Sequence, residues 1–259
     1  MPSAIITGAS KGIGKAIAQQ LASHKFDLLL VARSENLLKE VSADIAKQYG
    51  VKVNYLAIDL AEQQAANKVL HWVQSNDYQV SVLVNNAGYG LSGLFEANQA
   101  ESTRDMMQLN MNTVVEMCQC FLPMLKQRSK AYIMNIASTT AYQALPMMSV
   151  YAASKVFVLN FSRGLSHELR KTSVSVTAVS PGSTDTFFND RANIVGAVKK
   201  AAEKVSMTPE AVAKIAVDAM FKGKKEVITG AINKLQAFGS WLLPKSLIEQ
   251  IGSAIYEQE

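Results

Sequence analysis

The sequence predicts a doubly wound α/β fold, in which a parallel sheet carries helices on both faces. Three observations predict it. Apolar runs of strand length alternate with helix-period runs of a dozen residues or more from the first residues onward. No linker or internal repeat interrupts the 259 residues, so one domain over 1–259 is expected. The residues with unusual chemistry (Gly8, Arg33, Asp59, Asn85, Ser138 and Pro181) each follow a strand-like run, where ligands bind in such sheets.

Taken in order, Ser3–Thr7 is an apolar strand, and 12–23 a helix with Ile13, Ile17 and Leu21 on one side. Asp27–Val31 is a buried strand, followed by a helix over 35–49 that aligns Leu38, Val41 and Ile45. A strand over 51–58, a helix over 62–74 and a strand over 80–84 come next. Residues 103–127 read as one long helix, interrupted near its end by Pro123. A strand over 131–137, a helix over 151–171 and a strand over 174–179 lead to Pro181-Gly182. The 183–208 segment has no clean period. Thr208 then caps a helix over 209–221 with Pro209 in its first turn, and 226–228 is a seventh short strand. Crossovers of this length imply seven parallel strands joined right-handedly.

Apolar residues make up 49% and charged residues 18% of the chain, as in globular proteins. The net charge is +5, but the Lys and Arg residues are scattered. That favours a local anion site over a nucleic-acid partner, for which no basic stripe or recognition motif exists. Cys118 and Cys120, two apart on a helix, point to different sides and read as reduced core residues. His24, His71 and His167 lie on separate helices, so no metal site is expected. The N-terminus runs directly into a strand and no apolar run is long enough to span a bilayer, so a cytoplasmic location is expected.

After the first strand comes Thr7-Gly8-Ala9-Ser10-Lys11-Gly12-Ile13-Gly14. Glycines before a helix N-terminus allow backbone N–H groups to approach a pyrophosphate. The second strand ends at Arg33, where NAD-binding chains place an acid for the ribose 2′-hydroxyl; arginine accommodates a 2′-phosphate instead. With Lys11 in the glycine turn, two cations and no carboxylate favour NADP(H). Asp59 is placed to accept from an adenine amino group, and Asn85-Asn86-Ala87-Gly88 to line the adenosine side and brace the sheet.

Tyr151 and Lys155 stand one helical turn apart, thirteen residues after Ser138. An ammonium beside a phenol lowers its pKa from about 10; reaching neutrality takes roughly 4 kcal/mol. Such a tyrosine exchanges a proton with a carbonyl/alcohol pair.

Together these motifs resemble the short-chain dehydrogenase/reductase family over about residues 3–230. The match comprises Thr7 to Gly14, Asn85 to Gly88, Asn110, Ser138, Tyr151 with Lys155, and Pro181-Gly182. The resemblance implies Tyr151 as general acid/base, Lys155 depressing its pKa and holding the nicotinamide ribose, and Ser138 donating to the substrate oxygen. Asn110 would steady a kinked helix and a water leading to Lys155, although Asn112 competes for that role. The cofactor site so implied consists of Gly8, Ser10, Lys11, Gly12, Ile13, Gly14, Arg33, Asp59, Leu60, Asn86, Ala87, Gly88, Asn110, Tyr151, Lys155, Pro181, Gly182, Thr184 and Thr186, the last four against the nicotinamide. Family members usually form dimers or tetramers through the helices bearing Asn110 and Tyr151, so a homo-oligomer is expected.

A lid over 187–206, with Phe187 and Phe188, and a wall of Tyr142, Leu145, Met147 and Met148 suggest a medium or large apolar ketone, such as a 3-ketoacyl or steroid-like compound. The apolar tail over 231–256 reads as a cleft cover, a subunit interface or, least often for such segments, a membrane contact. The expected activity is NADPH-dependent carbonyl reduction; the competing reading is a regulator that binds NADP(H) without turnover.

Overall fold

The computed structural model describes residues 2–185, 206–246 and 248–250. Seven strands form one sheet: β1 (Ser3–Thr7), β2 (Asp27–Ala32), β3 (Val53–Ala57), β4 (Val80–Asn85), β5 (Ala131–Ile136), β6 (Val174–Ser180) and β7 (Glu226–Ile228). Their order is β3-β2-β1-β4-β5-β6-β7, and every neighbouring pair is parallel. The order reverses between β1 and β4, which opens a crevice at their carboxyl ends.

The helices are α1 (Gly12–Ser23), α2 (Glu35–Tyr49), α3 (Ala65–Ser75), α4 (Ala100–Met107), α5 (Thr113–Lys126), α6 (Ser149–Glu168), α7 (Pro209–Phe221) and α8 (Ala231–Leu242). Alternate strand residues feed two cores. Ile6, Leu30, Val84 and Met134 meet α1, α2 and α7 on one face. Ile5, Leu29, Leu83 and Ile133 meet α3, α5 and α6 on the other. Full burial of each such side chain contributes about 1.5–3 kcal/mol. Local chemistry sets the ends of two helices. Gly50 closes α2 in a left-handed conformation, and Thr208 accepts from the Ala211 amide ahead of α7, with Pro209 opening it.

Three local expectations change. The 103–127 helix is interrupted at Asn110, where the resemblance implied a kink, rather than at Pro123: Gln108–Asn112 form a π turn, whereas Pro123 lies inside α5 without ending it. The third helix begins at Ala65, because Gln64 before it is left-handed. Of the two cysteines, Cys118 is buried and Cys120 only half-buried. Residues 187–205 of the expected lid, Thr186, and 247 and 251–256 of the tail lie outside the described residues.

Candidate active site

The β1–α1 turn is fitted to the end of β4. Gly8 adopts φ +65°, and a Cβ there would stand 2.8 Å from Asn86 Nδ2 and 2.9 Å from Ala87 Cα, so a side chain is excluded. Asn86 Nδ2 donates to the Thr7 and Gly8 carbonyls at 3.0 and 3.2 Å. Thr7 Oγ1 accepts from the Asn86 and Ala87 amides at 2.9 and 3.0 Å. The first turn of α1 carries no acid, its N-cap Lys11 makes no side-chain cap, and Gly14 packs against the Gly8 carbonyl. An unblocked helix N-terminus behind a glycine turn fits an anionic cofactor's pyrophosphate.

Beyond β2, Arg33 lies exposed and its Nη1 donates to Asp59 Oδ2 at 3.4 Å. Asp59, expected on the adenine side, thus also pairs with Arg33. Arg33 is exposed and Asp59 partly so, and the pair itself contributes little stability. Asp59 also accepts from the Ala61 amide at 3.0 Å. Leu60 is buried, and its carbonyl accepts from Thr113 Oγ1 at 2.7 Å, tying this loop to α5.

Asn110, Ser138, Tyr151 and Lys155 are all at most 8% exposed and come together around Gly88 and the start of α6. Asn110 sits in the π turn. Its Oδ1 accepts from the Tyr89 amide at 3.1 Å, while Nδ2 donates to the Tyr89 carbonyl at 2.9 Å and to Ser154 Oγ at 3.1 Å. Asn112 instead donates to Gln108 at 2.7 Å on the exposed side, so the helix asparagine of the site is Asn110. A Cβ on Gly88 would meet Asn110 Oδ1 at 2.9 Å and Lys155 Nζ at 3.5 Å, which places both groups over that glycine. Lys155 Nζ donates to the Ile136 carbonyl at 3.0 Å and lies 5.8 Å from the Tyr151 ring centre. Ser138 hydrogen-bonds Tyr151 and accepts from the Thr140 amide at 3.1 Å.

Burial dominates the electrostatics. It pushes the Tyr151 phenol up to about 12, with the Ser138 hydrogen bond pulling the other way, and pushes Lys155 down to about 8. The expectation that Lys155 lowers the Tyr151 pKa does not hold for this arrangement. At neutral pH the pair is a phenol with an ammonium, the state from which a proton is given rather than taken.

The wall next to Tyr151 consists of Met106 and Met148, with Tyr89, Leu91, Leu145 and Val150 packed against them. Met147 is left-handed at φ +63°, and its carbonyl accepts from the Gly93 amide at 2.9 Å, closing the rim. Tyr142 does not join this wall. Its hydroxyl donates to Glu226 at 2.6 Å and lies 3.2 Å from Ser180 Oγ, while Glu226 pairs with Arg163 at 2.6 Å. Tyr142 therefore anchors the Ser138 turn to β7.

On the far side, Thr184 is buried and donates to the Gly182 carbonyl at 3.1 Å. Two features here escaped the sequence, and a third was read only at its Asn85 end. Asn233 of α8 packs on Gly182 so closely that a Cβ there would overlap its amide. The Ser183 hydroxyl is buried with no hydrogen-bond partner among the described residues. Asn85 donates to Asn135 at 2.9 Å, and Asn135 to Ser162 at 2.9 Å, a buried polar chain from β4 through β5 to α6. Asn135, polar within an apolar strand run, carried a visible signal beside Asn85.

Residues 2–194 match the family model described as short chain dehydrogenase. The chain is 32% identical over 183 residues to an uncharacterized oxidoreductase of Staphylococcus saprophyticus, covering 71% of this chain and 78% of that one. It is 34% identical over 182 residues to a very-long-chain 3-oxoacyl-CoA reductase of Anas platyrhynchos, covering 69% of this chain but only 58% of the reductase. A short-chain dehydrogenase from Sphingobium yanoikuyae, solved in complex with NADPH, superposes with a TM-score of 0.79 at 31% identity, over 88% of this chain and 87% of that one.

Proposed function

The chain belongs to the short-chain dehydrogenase family and is an oxidoreductase of that class, and on that premise we propose that it reduces an apolar ketone with NADPH. The observation that carries the reading is the buried cluster of Asn110, Ser138, Tyr151 and Lys155 beside an apolar wall, with Asn110 and Lys155 over Gly88, two residues after the Asn86 that holds the glycine turn. The nicotinamide cofactor, when bound, supplies the hydride. Ser138 orients the substrate oxygen and Tyr151 delivers its phenolic proton to it as the carbon accepts the hydride. The phenolate left behind sits beside the Lys155 ammonium, which restores the proton by way of Asn110 and water. One ketone, one hydride and one proton give one alcohol.

Reduction uses Tyr151 in its protonated form, the form that burial favours. Lys11 and Arg33 support the phosphorylated cofactor, with Arg33 held by Asp59 at 3.4 Å. The methionine-lined wall and the likeness to very-long-chain 3-oxoacyl-CoA reductases support a 3-oxoacyl thioester over a small polar ketone.

NADPH and NADH consumption against 3-oxoacyl thioesters of increasing chain length, steroid ketones and sugars tests this. Turnover with NADPH is expected to rise with chain length and to fall ~10²–10⁴-fold in Tyr151→Phe. Arg33→Ala should weaken the NADPH preference roughly tenfold, the worth of one charge-assisted hydrogen bond. Unaltered turnover in Tyr151→Phe would remove Tyr151 from the chemistry. Tight NADPH binding without turnover on any class would instead favour a regulator.

A further inference from the structure

Helix α8 is amphipathic in the opposite sense to a surface helix. Its buried positions are Asn233, Ala237 and Ser240, whereas Ile232, Leu235, Phe238, Trp241 and Leu242 are between 56% and 77% exposed. The inner side has its partners. Asn233 packs on Gly182 and donates to the Thr229 carbonyl at 2.7 Å, and Ser240 meets Gln143 Oε1 at 3.1 Å. These contacts fix which way the helix faces, and they leave its apolar stripe outward. A contiguous apolar patch of this size marks an interaction surface rather than a solvated face.

Two observations select the occupant. Side chains of this size, each more than half exposed, present on the order of 700 Å² of surface. That approaches the ~800 Å² each partner contributes to a stable protein interface. Gly239 also lies within the stripe, one turn from Leu235 and Leu242, with nothing within 4 Å of where its Cβ would be. Internal packing therefore does not require a glycine there, and glycine weakens the helix relative to alanine. A notch in an apolar face lets another backbone come close; fluid lipid has no need of one.

We propose that α8 pairs with α8 of a second copy of this chain about a two-fold axis, crossing near Gly239 and burying Phe238 and Trp241. This face is separate from the α5 and α6 helices through which the family resemblance implies assembly. The proposal does not depend on which ketone is reduced, or on turnover at all.

Sedimentation velocity and light scattering on the full chain at micromolar concentration test it. Wild type is expected to be self-associated. Leu235→Glu and Trp241→Glu, both at exposed positions, should each at least halve the mass, whether from dimer to monomer or from tetramer to dimer. Gly239→Leu separates the occupants, since it adds apolar surface and helix propensity while filling the notch. Pairing predicts a lower mass for Gly239→Leu with an unchanged circular dichroism spectrum. A monomeric wild type, or a mass unchanged in all three variants, overturns the proposal. So does binding to phosphatidylglycerol vesicles that Gly239→Leu strengthens and Leu235→Glu abolishes at constant mass, which would assign the face to a membrane.

Discussion

Lys155 keeps an ammonium within the core, where it donates to the Ile136 carbonyl. Burial lowers its pKa from 10.5 to about 8, so the folded protein holds this proton less tightly than the unfolded chain. Stability therefore carries the full penalty below pH 8 and recovers it as pH rises toward 10.5, where the unfolded state binds the extra proton. The penalty has a ceiling on the order of 3 kcal/mol, reduced by the carbonyl that Lys155 satisfies. Lys155→Met is accordingly expected to raise the melting temperature at pH 7 by a few degrees while abolishing most activity. The gain should shrink through a pH 8–10 series. Tyr151, held up to about 12, contributes only above pH 10 and does not blur that range. A lower melting temperature for Lys155→Met at pH 7 would mean that the carbonyl contact outweighs the desolvation. At this scale the nearness of Tyr151, Lys155 and Ser138 was legible in the sequence, because it rests on spacing along one helix and the turn before it. Tyr142 was misread as cleft wall, since its partner Glu226 lies 84 residues away.

The elements that hold the site are joined by close approaches rather than by propensity. The π turn at Gln108–Asn112 inserts Asn110 between Tyr89 and Ser154, and no residue type in that run announces it. Pro123, the conspicuous breaker, is accommodated inside α5. The contact between α8 and the Gly182 turn is of the same kind. A methyl group on Gly182 would overlap the Asn233 amide, so Gly182→Ala must displace either the turn or α8. That variant is expected to weaken NADPH binding at least tenfold by calorimetry. Asn233→Ala opens the space, so the double variant should regain part of the loss, a coupling that independent sites would not show. If both single losses simply add, the two elements are not packed as described.

At the scale of the whole molecule, the strand order places β1 and β4 at the centre and leaves β3 and β7 at the edges. β1, β4 and β5 are buried throughout, whereas β3 and β7 are mostly half-buried. Hydrogen exchange should therefore protect amides of β1, β4 and β5 to the global unfolding limit and release those of β3 and β7 earlier. Equal protection across all seven strands would argue against edges that open on their own. The alternation of strands and helices, the glycine turn and the Tyr151–Lys155 pair were determined by the sequence alone, because periodicity and short spacings are written along the chain. Only the tertiary structure decided that Asp59 pairs with Arg33, that Asn110 rather than Asn112 faces Gly88, that Asn233 seals Gly182, and that α8 turns its apolar side outward. Those contacts join residues tens of positions apart, and no local pattern encodes which distant surfaces a fold brings together.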